Sequence, residues 1–237
     1  MISVCMATYN GEQFISEQIS SILAQLSSGD ELVISDDCSS DETIAIVKSF
    51  SDPRIKIFEN RDRVGYSANF QRCLEKCDGD IIFLSDQDDV WFPNKVVRCL
   101  EEIKKSDLLV HNCLLVDGHL KGEGLDYFTL KKVRRGFLYN LLSIRYLGCC
   151  MVFKKRLLGA ALPIPIKEGV ITHDSWITLI SELKYKTTLL DEPLMYYRRH
   201  GNNTSNGGSS EMNSIFKIAY IRAYTIISLI VSTLKVN

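Results

Sequence analysis

Two groups of acidic residues directly follow apolar, β-branched runs of the chain. Asp36 and Asp37 come after residues 32–34, and Asp-Gln-Asp-Asp at residues 86–89 comes after residues 81–84. Carboxylates this close repel one another unless a cation or a protonated neighbour offsets their charge. Three of them within four residues predict a hard divalent cation, Mg²⁺ or Mn²⁺, and a diphosphate is the partner that such an ion commonly bridges. A solvated acidic turn is the alternative interpretation of the cluster alone.

The elements that must position these acidic groups alternate between strand-like and helix-like segments. Apolar, β-branched runs predict strands at residues 2–8, 31–36, 55–59, 80–85 and 108–116. Helical spacing of apolar residues predicts helices at residues 11–26, 41–50, 66–77 and 93–105. This alternation predicts parallel β-α-β units with helices on both faces of one sheet. Ligands of such sheets bind beyond the carboxyl ends of the strands, which is where both acidic groups fall.

The second half of the chain has a less regular pattern. A polar, irregular stretch is predicted over residues 121–135. The elements predicted after it are a strand, a helix and two further strands, at residues 147–153, 173–183, 187–190 and 194–198. Residues 201–210 are rich in Gly, Asn and Ser and predict a loop that could close over a bound ligand.

The tail from residue 215 to 236 is apolar but carries Lys217, Arg222 and Lys235. Its longest uncharged stretch, residues 223–234, is shorter than the roughly 20 apolar residues that cross a bilayer. Apolar surface combined with basic residues predicts an amphipathic helix lying in a membrane interface. A terminal helix packed on the domain, or on a second subunit, fits the same pattern equally well.

Composition narrows the classes of function. The formal net charge is −1 and no basic stripe interleaved with aromatic residues occurs, which argues against a nucleic-acid partner. The first residues lack the basic and apolar regions of an export signal, so the cytosol is the expected compartment. Several of the eight cysteines lie in apolar runs and are interpreted as buried. Cys73 and Cys77 have no second pair at metal spacing, so no zinc site is expected.

Five motifs, in order along the chain, resemble those of family 2 glycosyltransferases with the GT-A fold. They are SVCMATYNG at 3–11, ISDDCSSD at 34–41, GDIIFLSDQDDVW at 79–91, HDSW at 173–176 and YRRHGNN at 197–203. The resemblance covers residues 1 to about 205 and implies an α/β fold of the GT-A type, with a mostly parallel central sheet and helices on both faces. It implies three parts: a Rossmann-like nucleotide-sugar-binding half, an acceptor-binding and catalytic half of the same domain, and a C-terminal amphipathic helix, at residues 1–116, 117–210 and 211–237.

The resemblance implies contacts to a nucleotide for five residues. Thr8, Tyr9 and Asn10 follow the first strand, where the Tyr9 ring could stack on a base. Asp37 is expected to accept a hydrogen bond from the ring N–H of a uracil or thymine. Asp86 is expected to face the ribose.

The same resemblance implies the remaining site residues. Asp88, Asp89 and His200 are the expected ligands of Mn²⁺ or Mg²⁺ on the diphosphate. Asp174, at the start of a helix whose dipole favours an ionised carboxylate, is the expected general base of a single, inverting displacement. Trp176 is expected to contribute to the acceptor pocket, and a core tryptophan fits that position equally well.

The fuller pattern resembles bacterial transferases that build surface polysaccharide such as O-antigen or capsule, including rhamnosyltransferase-like members. It implies a UDP- or dTDP-sugar donor, a glycan acceptor carried on a lipid, and peripheral association with the inner face of the cytoplasmic membrane. It leaves the sugar and the oligomeric state open. The alternative is a non-catalytic carbohydrate-binding or assembly subunit. A nucleotidyltransferase is disfavoured because residues 7–12 contain one glycine and no basic residue.

Overall fold

The computed structural model describes residues 1–121, 124–201 and 215–234. Within these ranges the nine strands, β1–β9, are Ile2–Thr8, Glu31–Asp36, Ile55–Glu59, Ile81–Ser85, Val90–Trp91, Leu108–Asp117, Leu125–Asp126, Met151–Lys154 and Thr187–Arg199. The nine helices of the same ranges, α1–α9, are Ile15–Leu23, Thr43–Ser49, Tyr66–Leu74, Lys95–Ile103, Tyr127–Lys131, Phe137–Leu142, Leu158–Ala161, His173–Lys184 and Ile215–Leu234.

The described strands form one sheet in the order β3-β2-β1-β4-β8-β6-β9-β5, with β7 beside β6. Strands β1 to β4 are parallel, and β8 is antiparallel to both β4 and β6. Thr8 pairs with Asp36, and Met6 pairs with Ser85, so β1, β2 and β4 end at the same edge. The predicted α/β architecture of the GT-A type is confirmed, with a parallel first half and a mixed second half.

Burial explains why the first half folds as the sequence predicts. Every residue of β2 is buried, which requires packing elements on both faces of the sheet. In α1, Ile15, Ile19 and Ile22 lie on one helical face and are fully buried. Burial of each such side chain contributes about 1.5–3 kcal/mol relative to exposure. These helices and strands place the acidic residues at the common edge of the sheet.

The structure differs from the predicted elements in three places. The two strands predicted at 187–190 and 194–198 are one strand, β9, with an irregular register opposite His111 and Asn112. The strand predicted at 147–153 begins at Met151 because the three residues before it form a 3-10 turn. The stretch predicted as irregular contains α5, whose cap Asp126 accepts the Thr129 N–H.

The C-terminal helix α9 packs on the domain through Thr225 and Leu229, which are both buried. None of the described helices combines the length and the apolar composition needed to cross a bilayer. The loop predicted as a lid at 201–210 lies, apart from Gly201, outside the described residues.

Candidate active site

The loop after β4 is fastened to the loop after β1 by the side chain of Gln87. Its Oε1 accepts the Tyr9 N–H at 2.9 Å, and its Nε2 donates to the Tyr9 carbonyl at 3.0 Å. A Cβ on Gly11 would lie 2.4 Å from Gln87 Oε1, so glycine is required for this approach. Gln87 is a site residue that the sequence did not identify, because its partner is a main-chain amide 78 residues away.

We expect Gly11→Ala to lower the free energy of unfolding by about 1–2 kcal/mol, because the new methyl group displaces Gln87 and both hydrogen bonds are lost. Urea denaturation measures this change. Gly29→Ala is the matched control, since a Cβ there meets nothing within 4 Å. In the Gln87→Ala background the Gly11→Ala cost should disappear, and two fully additive costs would contradict the mechanism.

The acidic pair Asp36 and Asp37, at the end of β2, accepts hydrogen bonds from the end of β1 and from a neighbouring loop. Asp37 is buried, and its carboxylate accepts the main-chain N–H groups of Val64 and Gly65, each at 2.8 Å. Asp36 accepts the Thr8 hydroxyl at 2.9 Å. Both predicted nucleotide-contacting side chains, Thr8 and Asp37, therefore also support the surrounding loops. Their contacts to a nucleotide stay predictions.

Tyr9 and Asn10 lie together where β1 ends. The Arg63 guanidinium lies 3.9 Å from the centre of the Tyr9 ring, an arrangement that favours a cation–π interaction. Asn10 has a left-handed backbone (φ 47°), and its N–H donates to Ser39 Oγ at 2.9 Å. The loops after β1 and β2 are thereby joined, and the predicted base stacking on Tyr9 stays a prediction.

The structure brings the predicted metal ligands Asp88 and His200 together. Asp88 Oδ2 and His200 Nε2 are 2.8 Å apart, close enough to share one bound ion. The His200 ring lies 4.6 Å, centre to centre, from the ring of Phe14. His200, the residue that follows β9, therefore lies against the loop after β4, 112 residues away from it in sequence.

Asp86 and Asp89 lie beside Cys149, with a ligand atom of each within 4.8 Å of the others. Burial, together with the negative charges of Asp88 and Asp174, raises the pKa of Asp86 to about 7. Burial raises the pKa of Asp89 as well, again with its carboxylate neighbours. The carboxyl groups are therefore crowded here, and the described residues supply too little positive charge to offset them.

Asp89 carries the observation that tests whether a cation fits. It is fully buried, and its Oδ1 accepts the main-chain N–H of Arg198 at 3.1 Å. Its Oδ2 has no hydrogen-bond partner among the described residues. A buried carboxylate oxygen without a partner is costly, and hard cations such as Mg²⁺ and Mn²⁺ take oxygen ligands. The residues present fit a hard divalent cation.

Arg198 holds this loop in place, a role the sequence did not assign. It is buried, and its guanidinium donates to the carbonyls of Asp88 and Gly118, each at 2.8 Å. It also pairs with Glu17 and lies 4.7 Å from the centre of the Phe14 ring. Arg198, which belongs to β9, therefore connects the main chain of Asp88 to α1 and to the residue that follows β6.

Asp174 lies in the first turn of α8, after the capping residue Thr172. Its Oδ1 accepts the Ser175 N–H at 2.7 Å and the Thr172 hydroxyl. The main chain of Gly148 passes close by, since a Cβ there would lie 3.4 Å from the Asp174 Cβ. The residue after Gly148 is Cys149, which lies beside Asp86 and Asp89, so the predicted base lies near the acidic cluster.

Of the two roles that fit Trp176, the structure favours the core tryptophan over the acceptor contact. Trp176 is fully buried, and its indole N–H donates to the Ala161 carbonyl at 2.9 Å. Tyr66, at the start of α3, lies near Asp174, because its ring centre is 6.1 Å from that of His173. The side chain is 41% exposed, and partial burial and the Asp174 charge raise the pKa of its hydroxyl. Nothing in the sequence distinguishes Tyr66 from other surface tyrosines.

Comparison with known proteins identifies the family of this chain. Residues 3–160 match the family model described as glycosyl transferase family 2. The chain belongs to glycosyl transferase family 2. The dTDP-rhamnosyl transferase RfbG of Shigella flexneri is 28% identical, over 92% of this chain and 77% of its own.

Two further similarities cover different parts of this family 2 chain. WfgD of Escherichia coli, a UDP-Glc:alpha-D-GlcNAc-diphosphoundecaprenol beta-1,3-glucosyltransferase, is 36% identical over 46% of this chain and 43% of its own. TarS 1–349 of S. aureus, solved with UDP-GlcNAc, covers 95% of this chain at 20% identity and a TM-score of 0.73. That likeness shows the fold. The chain spans less than half of WfgD and 66% of the TarS chain.

Proposed function

We propose that the chain transfers a sugar from a UDP- or dTDP-sugar to a hydroxyl of a glycan acceptor, with inversion, in the synthesis of a bacterial surface polysaccharide. The observation that carries the proposal is that Asp174, which is distant in sequence from the acidic cluster, lies against Gly148, next to the Cys149 that lies beside Asp86 and Asp89. An acid-rich ion site and a separate carboxylate at one edge suit the two ends of a displacement: a leaving diphosphate and an attacking hydroxyl.

Asp88, Asp89 and His200 are the residues that would hold Mn²⁺ or Mg²⁺. When bound there, the ion supplies positive charge that offsets the negative charge developing on the leaving diphosphate. Asp174 accepts the proton of the acceptor hydroxyl while that oxygen bonds to the anomeric carbon and the bond from this carbon to the diphosphate breaks. The Ser175 N–H, which donates to Oδ1, fixes the direction in which Asp174 presents its other oxygen.

The donor side of the proposal rests on the loops after β1 and β2. Tyr9, Asn10 and Asp37 follow β1 and β2, which end at the same edge of the sheet, and Asp86 follows the neighbouring strand β4. The acceptor side rests on Tyr66, because its exposed ring offers a sugar an apolar face beside Asp174. The named activity of WfgD, which uses a diphosphoundecaprenol acceptor, supports a lipid-linked acceptor.

The experiment that tests the proposal is binding of UDP, dTDP and GDP, each with Mn²⁺ or with EDTA. We expect one diphosphate to bind with Mn²⁺ and not with EDTA, because the acidic cluster repels an anion unless a cation is bound there. Asp88→Ala should abolish the metal-dependent part of that binding, measured by calorimetry. Asp80→Ala removes a surface carboxylate and should bind as wild type does.

Failure of this experiment has a defined meaning. If the folded protein binds none of the three nucleotides with Mn²⁺, the donor site is wrong and a non-catalytic carbohydrate-binding role takes its place. If binding occurs equally well in EDTA, the nucleotide site stands and the metal assignment falls.

A further inference from the structure

The outward side of α9 is apolar, whereas the side that packs on the domain carries the polar residues Arg222 and Thr225 beside Leu229. Phe216, Ile227 and Ile230 are 87%, 61% and 54% exposed and recur at helical spacing. Arg222 and Thr225 lie on the side that faces the domain, where the Thr225 side chain is buried. A helix on a protein surface in water turns its polar residues outward, whereas α9 exposes large apolar side chains there.

The exposed apolar surface continues from α9 onto α6. Leu138 and Leu142, one turn apart on α6, are each 71% exposed. The Arg222 guanidinium donates to the Leu142 carbonyl, which places the end of α6 directly against α9. A contiguous patch of this kind on a protein surface marks a site of interaction.

Positive charge surrounds this apolar surface. Residues 127–146 contain five basic residues and no acidic one, and α9 contains two basic residues and no acidic one. These segments therefore carry +7, which leaves −8 on the rest of a chain whose formal net charge is −1. Lys132, Arg134 and Arg135 are exposed, and none of them forms an ion pair with a carboxylate among the described residues. We call the exposed residues of 127–146 and the outward side of α9 the basic apolar face.

We propose that the basic apolar face binds the surface of a bilayer that contains anionic lipids. Helices with apolar residues on one side lie in such interfaces, at a depth of roughly 5–10 Å, and basic residues near the surface add attraction to anionic headgroups. A second copy of the chain is the less favourable occupant. A two-fold contact would set the same patch against itself and bring its positive charges together. The inference does not depend on the proposed transfer of a sugar.

Flotation of the full chain with lipid vesicles tests the proposal. We expect binding to vesicles of phosphatidylcholine mixed with an equal amount of phosphatidylglycerol, and more than tenfold weaker binding to phosphatidylcholine alone. Raising the salt concentration should release the protein, because the attraction of surface charges is screened.

Two double variants separate the apolar and the basic contributions. Ile227→Glu with Ile230→Glu removes apolar contact with the bilayer, and Arg134→Glu with Arg135→Glu removes attraction to anionic headgroups. Each double variant should lower the vesicle partition coefficient more than tenfold. Their targets are exposed, so circular dichroism and the melting temperature should match wild type. The control is Val97→Glu with Lys104→Glu, which makes the same kinds of change at exposed positions on and beside α4.

Three results would overturn the proposal. Wild type that floats with neither vesicle has no membrane-binding face. Variants that bind as tightly as wild type place the membrane contact elsewhere on the chain. A concentration-dependent dimer that the α9 variant abolishes, without any flotation, assigns the face to a second copy.

Discussion

Replacing Asp174 with Asn is expected to lower kcat by about 10²–10⁴-fold, the usual contribution of a placed general base. Asparagine keeps the size of the side chain and an oxygen that can accept the Ser175 N–H, so α8 should start as before. It cannot take a proton from the acceptor hydroxyl. The loss should therefore fall on the chemical step and not on the binding of the nucleotide.

Two measurements are needed, because the effect on turnover must be distinguished from an effect on donor binding. Calorimetry with the diphosphate identified by the screen should give the same Kd for Asp174→Asn and wild type, and the transfer assay should give the kcat loss. Asp80→Asn, the same chemical change at an exposed carboxylate, should leave both values unchanged. A kcat within threefold of wild type would show that another group takes the proton.

The position of the site could be predicted from the sequence because it depends on where strands end. β1, β2 and β4 are short apolar runs, and each is followed at once by residues with polar side chains. In a parallel sheet the carboxyl ends of neighbouring strands meet, so local pattern determines which loops converge. The convergence of Asp88 and His200 could not come from that rule. It required the motif resemblance, because β9 reaches this edge beside β6, far from β4 in the order of the sheet.

The individual side chains were harder to predict because their roles depend on partners that are remote in sequence. Trp176 packs under Ala161, and that contact is determined by how α7 and α8 cross. Gln87 and Arg198 act on main-chain groups, which every residue has, so no residue type marks their partners. Sequence patterns identify the acidic clusters well. They are much less informative about the neutral and basic side chains, such as Gln87 and Arg198, that hold the loops of those clusters in position.

Arg198→Met should lower the free energy of unfolding by about 3–5 kcal/mol, because two hydrogen bonds from a charged donor, each worth about 1.5–3 kcal/mol, are lost. This is a large share of the roughly 5–15 kcal/mol of a typical domain. Methionine fills much of the volume of the arginine stem but donates no hydrogen bond. The carbonyls of Asp88 and Gly118 would then lose their donor. Glu17, which is half exposed, can turn to water and adds little to the cost.

The neighbouring residue provides the matched control for urea denaturation. Arg199 is exposed, so Arg199→Met should change the free energy of unfolding by no more than about 0.5 kcal/mol. Arg198→Lys should fall between the two, because an ammonium keeps the charge but cannot reach both carbonyls as a planar guanidinium does. Equal costs for Arg198→Met and Arg199→Met would contradict the structural role of Arg198. A large cost confined to Arg198 would mean that the loop of Asp88 is held by the protein itself before any ion or nucleotide binds.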